Sequence, residues 1–312
     1  MRVIVTIDTE GHDGMDPVEH LIWGKCSDGT YHGIDEIMDI LDNNNATGLF
    51  FLDFAEAWDY GEDKIKIIAL HIKERGHNVG MHIHPDHMAD PKRLFLYEYN
   101  REEQYEIIKK CTDLYVKILG ERPESFRAGK YAADRNTLNI IKELGYKYDF
   151  SEFYGQKWCG INPPVTINKT RYLENGILEI PVLSYKSFEL GPYSRCDKLD
   201  TDMNYLEFEY VINRVNQNMC IDPIVMFIHS FSLLKWRRNP DNPVYNKRKA
   251  NELKKMISIL NRKSFMYIKE SNLDNWEENK EMDKLLDLSK GFNAYIFFIL
   301  RAIKVLRMRL RL

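Results

Sequence analysis

Short apolar runs alternating with longer amphipathic stretches constrain this chain more than any other feature. Val3–Ile7 is β-branched and ends at Asp8, and Leu49–Phe54 and Ile224–His229 are similarly apolar. Asn78–His84, Ser125–Arg127, Tyr146–Phe150, residues 177–183 and Phe265–Ile268 read as further strands. Pro181 places the 177–183 run at an edge or a strand end. Between the strands, Ile34, Ile37, Met38 and Leu41 recur at helical spacing before the turn-rich Asn43-Asn44-Asn45. Residues 62–75, 101–119, 134–144, 203–218 and 246–260 are also helical in pattern, and Gly76 and Gly145 can close two of them. Glycine and proline interrupt residues 155–164. Such alternation implies βα units around one parallel sheet or barrel.

Composition narrows the function. With 29% charged residues and a formal net charge of −3, the chain lacks both the bias of a disordered protein and the basic face of a nucleic-acid binder. The five cysteines, Cys26, Cys111, Cys159, Cys196 and Cys220, are scattered and odd in number. They form no C-x-x-C pair, which argues against a thiolate zinc site and for a reducing compartment. An acidic residue arrives too early for a signal peptide, and no apolar run reaches the ~18 residues of a bilayer span. A cytoplasmic protein is expected. No G-x-G-x-x-G or P-loop pattern is present, which argues against nucleotide binding.

Reactive groups in folds of this kind gather at the C-terminal ends of the strands. Four predicted strand ends are polar in a way that packing does not require: Asp8 and Glu10, then His82, His84 and His87, then Arg127, then His229. Extended residues two apart share a face, so His82 and His84 can point together, as can Asp8 and Glu10. Imidazole and carboxylate together suit Zn²⁺ and similar ions, and an open position on such an ion leaves room for an activated water. The remaining carboxylate can accept a proton, a separate histidine can protonate a leaving amine, and Arg127 can orient the base. Each residue alone also fits an ordinary role, such as a loop histidine or a salt-bridged arginine. The set is more informative than its members because separate strand ends converge on one rim.

These residues resemble the polysaccharide deacetylases of the NodB-homology type. Thr6-Ile7-Asp8-Thr9-Glu10 is similar to a variant of that family's first motif, in which the acids are more often adjacent. Gly76-His77-Asn78-Val79-Gly80-Met81-His82 is similar to the run entering the histidine motif. Phe126-Arg127-Ala128-Gly129-Lys130-Tyr131, with Asn136-Thr137-Leu138 and Leu144-Gly145-Tyr146, resembles the third motif and its helix. Ile228-His229-Ser230 resembles the late motif.

The resemblance implies a distorted (β/α) barrel of about seven strands over residues 1–272; beyond it, residues 273–312 read as a basic, helical extension. It implies Asp8 as catalytic base, Glu10 and His82 as ligands of a divalent metal, Zn²⁺ first among them, Arg127 as the residue that positions the base, and His229 as general acid. The second histidine usually stands four positions after the first, where this chain has Asp86; His84-Pro85 instead gives an H-x-H-P form. The ligand set is therefore completed by His84, with His87 and Asp86 as alternates. The implied reaction removes an N-acetyl group from a saccharide, with lipid-linked and nucleotide-linked precursors of a surface polysaccharide among the candidates. Hydrolysis of a non-sugar C–N bond and an inactive, glycan-binding role are the alternatives.

Loop residues suggest substrate contacts. Trp23, Trp58, Tyr131, Trp158 and Tyr193 lie on or near predicted βα loops, where an aromatic face can stack on a sugar. Lys130 and Trp236-Arg237-Arg238 could meet an anionic glycan, and equally could face solvent. Of these, Lys130, Tyr131, Trp158 and Trp236 are the substrate candidates.

From Lys290 onward six basic residues and no acidic one accompany Phe292, Ile296, Ile299, Ile303, Leu306 and Leu310, spaced by fours and threes. A basic amphipathic helix over residues 290–312 is expected. It either lies on an anionic bilayer, at the inner membrane face, or docks its stripe on protein.

Overall fold

The computed structural model describes residues 1–11, 17–161, 168–217, 221–236, 243–274, 276–277, 285–290, 293 and 295–301. Its strands are β1 (Arg2–Thr9), β2 (Gly48–Asp53), β3 (Asn78–Ile83), β4 (Ser125–Ala128), β5 (Tyr148–Asp149), β6 (Arg171–Tyr172), β7 (Leu178–Glu179), β8 (Ser184–Leu190), β9 (Tyr193–Lys198), β10 (Ile224–His229), β11 (Leu234–Trp236), β12 (Pro243–Tyr245), β13 (Met266–Tyr267) and β14 (Leu286–Asp287). The helices are α1 (Ile34–Asp42), α2 (Ala57–Tyr60), α3 (Glu62–Glu74), α4 (Arg101–Leu119), α5 (Arg135–Glu143), α6 (Tyr205–Gln217) and α7 (Lys247–Arg262).

A nine-stranded sheet runs in the order β10-β1-β2-β3-β4-β5-β7-β6, with β13 beside the start of β1. All its pairings are parallel except β6 with β7. The sheet curls into an incomplete barrel. One residue spans the gap: Phe227 N–H donates to Leu199 O at 2.9 Å, and Leu199 N–H donates to Leu183 O at 3.0 Å. Leu183 follows β7, so Leu199 links the last long strand back to the far side of the sheet.

Strand alternation sorts the residues into two cores. Val3, Val5 and Ile7 of β1, with Phe50, Leu52, Val79, Met81, Phe126, Met226 and Ile228, face outward into one cluster with the helices. Ile4, Leu49, Phe51, Phe150, Leu178 and Val225 face inward as a smaller cluster. The inward rows continue toward the C-terminal ends of the strands as Thr6 and Asp8, Asp53, His82, Arg127, and Phe227 and His229. The apolar interior thus becomes polar at one end of the barrel only.

Helix ends follow their local chemistry. Asn100 caps α4 by accepting from Glu103 N–H, and Gly120 closes the helix at φ 72°. Asp134 caps α5 in the same way through Thr137 N–H.

The sheet has one strand beyond the eight runs read from the sequence: β6, a two-residue pairing that carries no alternation of its own, whereas β13 falls within the expected Phe265–Ile268. The hairpin of β8 and β9 has no counterpart among the expected strands. Beyond Tyr185 its residues are half-buried or exposed, so no apolar alternation marks it. After residue 272, β14 adds to β8 in parallel. A helix over 295–301 follows. Its Phe298 ring stacks on Phe188 at 3.8 Å, and Arg301 pairs with Asp197 and, at 2.6 Å, with Glu207. Residues 302–312 of the expected basic helix lie outside the described residues.

Candidate active site

The polar end of the barrel is assembled by register. Asp8 stands opposite His229 between β1 and β10, Asp53 opposite His82 between β2 and β3, and His82 opposite Arg127 between β3 and β4. Adjacent strands therefore deliver their last inward residues to one place, and Glu10 and His84 extend two of the rows by one step.

Among the described residues Arg127 is the largest fully buried side chain, at 0% exposure, and each of its three guanidinium nitrogens donates a hydrogen bond. Nη1 donates to Asp8 Oδ1 at 2.5 Å, Nη2 to Thr6 Oγ1 at 3.1 Å, and Nε to Phe150 O at 3.2 Å. Its face lies 4.3 Å over the Phe51 ring. Gly80 makes room for this stack, since a Cβ there would stand 2.8 Å from the Phe51 ring. Arg127 engages Asp8 through Oδ1 only.

Glu10 sits between three imidazoles. Its Oε2 is 3.0 Å from His82 Nε2 and 2.8 Å from His84 Nε2, and its Oε1 is 3.5 Å from His229 Nε2. Burial alone would raise this carboxyl, but the charge of His84 and hydrogen bonds from His82 and His84 outweigh it and hold Glu10 well below the usual range. His82 donates through Nδ1 to Arg127 O at 2.7 Å, which leaves Nε2 with the ring's lone pair in the neutral form. Burial works to lower the His82 pKa, yet the Asp8 charge and the Glu10 bond raise it on balance. His229 stacks on Phe231 at 4.7 Å and meets Phe227 edge-on at 4.6 Å. Desolvation beside these rings lowers its pKa, against the opposing charges of Glu10 and Asp8.

A carboxylate oxygen and two imidazole nitrogens, all within 4.8 Å of one another, form an N/O donor set on Glu10, His82 and His84. Their chemistry fits a divalent metal, because a carboxylate and imidazole Nε2 atoms are ordinary ligands, and the Arg127 carbonyl fixes the His82 ring from behind. Gly129 permits the arrangement. A Cβ at residue 129 would come within 2.8 Å of the His84 ring and 2.7 Å of Ile83 O. The alternates stand elsewhere: His87 donates through Nδ1 to Asp59 at 2.7 Å, and Asp86 keeps a buried oxygen with no hydrogen-bond partner among the described residues.

The substrate candidates are spread around this rim. Tyr131 is buried, packed edge-on to Phe153 at 5.2 Å. Lys130 is exposed, and both it and Tyr131 adopt left-handed backbone, at φ 54° and 61°. Trp158 leans on Phe95 at 5.6 Å, under Lys157. Trp236 lies near Phe231, 6.3 Å between ring centroids. Arg237 and Arg238 lie outside the described residues.

No sequence pattern marks Lys198, yet it reaches the site. Its ammonium lies 3.5 Å over the Phe227 ring and donates to Tyr131 Oη at 3.3 Å, and desolvation there lowers its pKa. Asp53 is a second addition, although it closes an apolar strand just as Asp8 does. Its Oδ2 accepts the His84 N–H at 3.2 Å and thereby helps to place that histidine.

Comparison with known proteins agrees with the motifs. The family model for polysaccharide deacetylase matches residues 22–148, a stretch that holds His82, His84 and Arg127. FGM2, a peptidoglycan deacetylase-like protein of Gibberella zeae, is 36% identical over 50 residues, covering 16% of this chain and only 15% of that protein. A structure from Mycobacterium smegmatis, assigned as a polysaccharide deacetylase, shares 14% identity at a TM-score of 0.50, over 81% of this chain and 82% of that one. A family 4 carbohydrate esterase from Streptomyces lividans, solved with acetate, shares 9% identity at a TM-score of 0.47, over 90% and 98% of the two chains. The fold is that of the NodB-type deacetylases. Over residues 22–148 the sequence is similar to the polysaccharide deacetylase family.

Proposed function

We propose that this protein is a metal-dependent hydrolase that removes an N-acetyl group from a saccharide. The reading rests on one observation: Asp8, Glu10, His82, His84 and His229, from three strands and their extensions, meet at a single rim, with Arg127 buried behind them. In this reading Glu10, His82 and His84 hold the divalent cation, Zn²⁺ by preference for their N and O donors. When bound, such a cation is a Lewis acid toward an amide carbonyl and makes water more acidic.

The protein's own groups supply the proton transfers. Asp8, pinned through Oδ1 by Arg127, keeps Oδ2 to take the proton of the attacking water. His229 stands on the opposite side of Glu10 from the other two histidines, and desolvation makes its imidazolium a readier proton donor. It protonates the departing sugar nitrogen as the C–N bond breaks, giving acetate and a free amine. Tyr131, Lys198 and Phe227 form the wall beside His229, where the sugar would rest.

Acetate release from N-acetylglucosamine oligomers, peptidoglycan fragments, and lipid-linked and nucleotide-linked N-acetyl sugars tests the proposal. Asp8→Asn is expected to lower the rate about 10²–10⁴-fold with an unchanged melting curve. A folded, metal-loaded protein releasing no acetate from any of these substrates would reject the hydrolase and favour a glycan-binding role.

We also propose that the C-terminal helix contacts an anionic membrane surface. Phe297, Phe298 and Arg301 face the body, whereas Tyr295, Ile296, Ile299 and Leu300 are 36–54% exposed on the other side. Arg301 is spent on Asp197 and Glu207, so it is not the residue that would meet headgroups. Among the described residues, no helix is long and apolar enough to cross a membrane. Co-sedimentation with anionic liposomes should require residues 290–312; equal binding by a chain ending at 289 would reject the contact.

A further inference from the structure

Beside the rim lies a second set of ligand-type side chains with no part in the chemistry above. Asp53 and Glu56 are each 0% exposed, and His87 completes the group, with one donor atom from each within 4.8 Å of the others. We infer that Asp53, Glu56 and His87 bind a second divalent cation, separate from the one assigned to Glu10, His82 and His84.

Three observations carry this inference. First, Glu56 uses only one oxygen: Oε1 accepts from Gly11 N–H, while Oε2 is buried with no hydrogen-bond partner among the described residues. A buried carboxylate oxygen left without a donor is costly unless a cation or a proton meets it. Second, His87 donates through Nδ1 to Asp59 Oδ2 at 2.7 Å, which leaves Nε2 with the lone pair. A carboxylate holding the far nitrogen of a histidine is the usual outer support of a metal-bound imidazole. Third, charge is unbalanced here. Asp8 has Arg127, Glu152 has Arg171 and Glu207 has Arg301. Asp53 and Glu56 have no ion pair among the described residues.

The mixed oxygen and nitrogen donors suit Zn²⁺, Mn²⁺ or a similar ion better than Mg²⁺ or Ca²⁺. Such a cation would also brace the first site. Asp53 Oδ2 holds the His84 main chain at 3.2 Å, and Glu56 holds Gly11, the residue after Glu10. The inference stands on its own geometry and does not need the deacetylase reading.

Metal content of the purified full chain, stripped with chelator and dialysed against Zn²⁺, tests it, with circular dichroism to confirm folding of each variant. The wild type should hold two equivalents. His87→Ala and Glu56→Gln should each hold one, and Asp59→Asn should keep its fold while binding the second ion about 10–100-fold more weakly. His82→Ala should also hold one, and the His82→Ala/His87→Ala double variant none. One equivalent in the wild type, lost in His82→Ala and kept in His87→Ala, would overturn the second site and leave the first intact. Two equivalents retained in both His87→Ala and Glu56→Gln would overturn it as well.

Discussion

Asp8 and Asp53 occupy matching places. Each ends an inward row of a central parallel strand, each is buried, and neighbouring strands carry them to the same end of the barrel. Their surroundings differ in sign. Asp8 meets a guanidinium, whereas Asp53 meets main-chain N–H groups and, in Glu56, another carboxylate. Position on a strand decides that a residue faces the pocket. The charge packed behind it decides whether it rests as an anion or needs a proton or cation to stay buried.

The sharpest way to break this comparison is to remove the compensating charge. Arg127→Met would leave Asp8 buried without its partner and strip Thr6 and Phe150 of a donor. A loss of about 3–5 kcal/mol in urea unfolding is expected; a loss below about 1 kcal/mol would mean that Asp8 does not depend on the pair.

The other carboxylates predict a pH dependence of stability. Glu56 is raised to about 8, and Glu152 and Glu270 to about 7, so the native state keeps protons that the unfolded chain releases near 4.5. The native state therefore binds more protons between these limits, and metal-free stability should fall as pH rises from about 5 to 8. The fall should reach a few kcal/mol, since each tenfold gain in a group's proton affinity on folding is worth about 1.4 kcal/mol. Glu56→Gln should flatten the curve above pH 7, and denaturant melts across this range would show it. A pH-independent wild type would contradict the electrostatic contrast.

A smaller effect is expected where the histidine row is packed. Gly129→Ala would drive a methyl group against the His84 ring and Ile83 O. About 1–3 kcal/mol of stability should be lost, as for other overpacked sites. Zn²⁺ affinity should weaken with it if His84 is a ligand; unchanged affinity would detach His84 from the metal.

Much of this was legible in the sequence. The run Val3–Ile7 and the helix at 101–119 are strong periodic signals, and the structure has them at nearly the same limits. Asp8, Glu10, His82, Arg127 and His229 stood out as polar residues closing apolar strands. Asp53 offered the same signal in Leu49–Phe54 but lacked a motif around it. Lys198 offered none, since it reaches the pocket from a hairpin whose exposed ladder leaves no apolar period. The choice among His84, His87 and Asp86 depends on how the chain turns at Pro85, where strand gives way to a single 3₁₀ turn. Spacing alone could not supply that geometry; in the structure His84 shares the pocket of Glu10, while His87 turns toward Asp59.

Leu199 joins the two ends of the curled sheet by main-chain hydrogen bonds, one to Phe227 and one to Leu183, while its own side chain is buried in the core. Such a seam is indifferent to side-chain identity on either flank. Lys198 and Asp200, immediately beside it, can therefore be exchanged while the enclosure stays shut, so evolution can retune what the pocket admits at two adjoining positions without unpicking the wall that contains it.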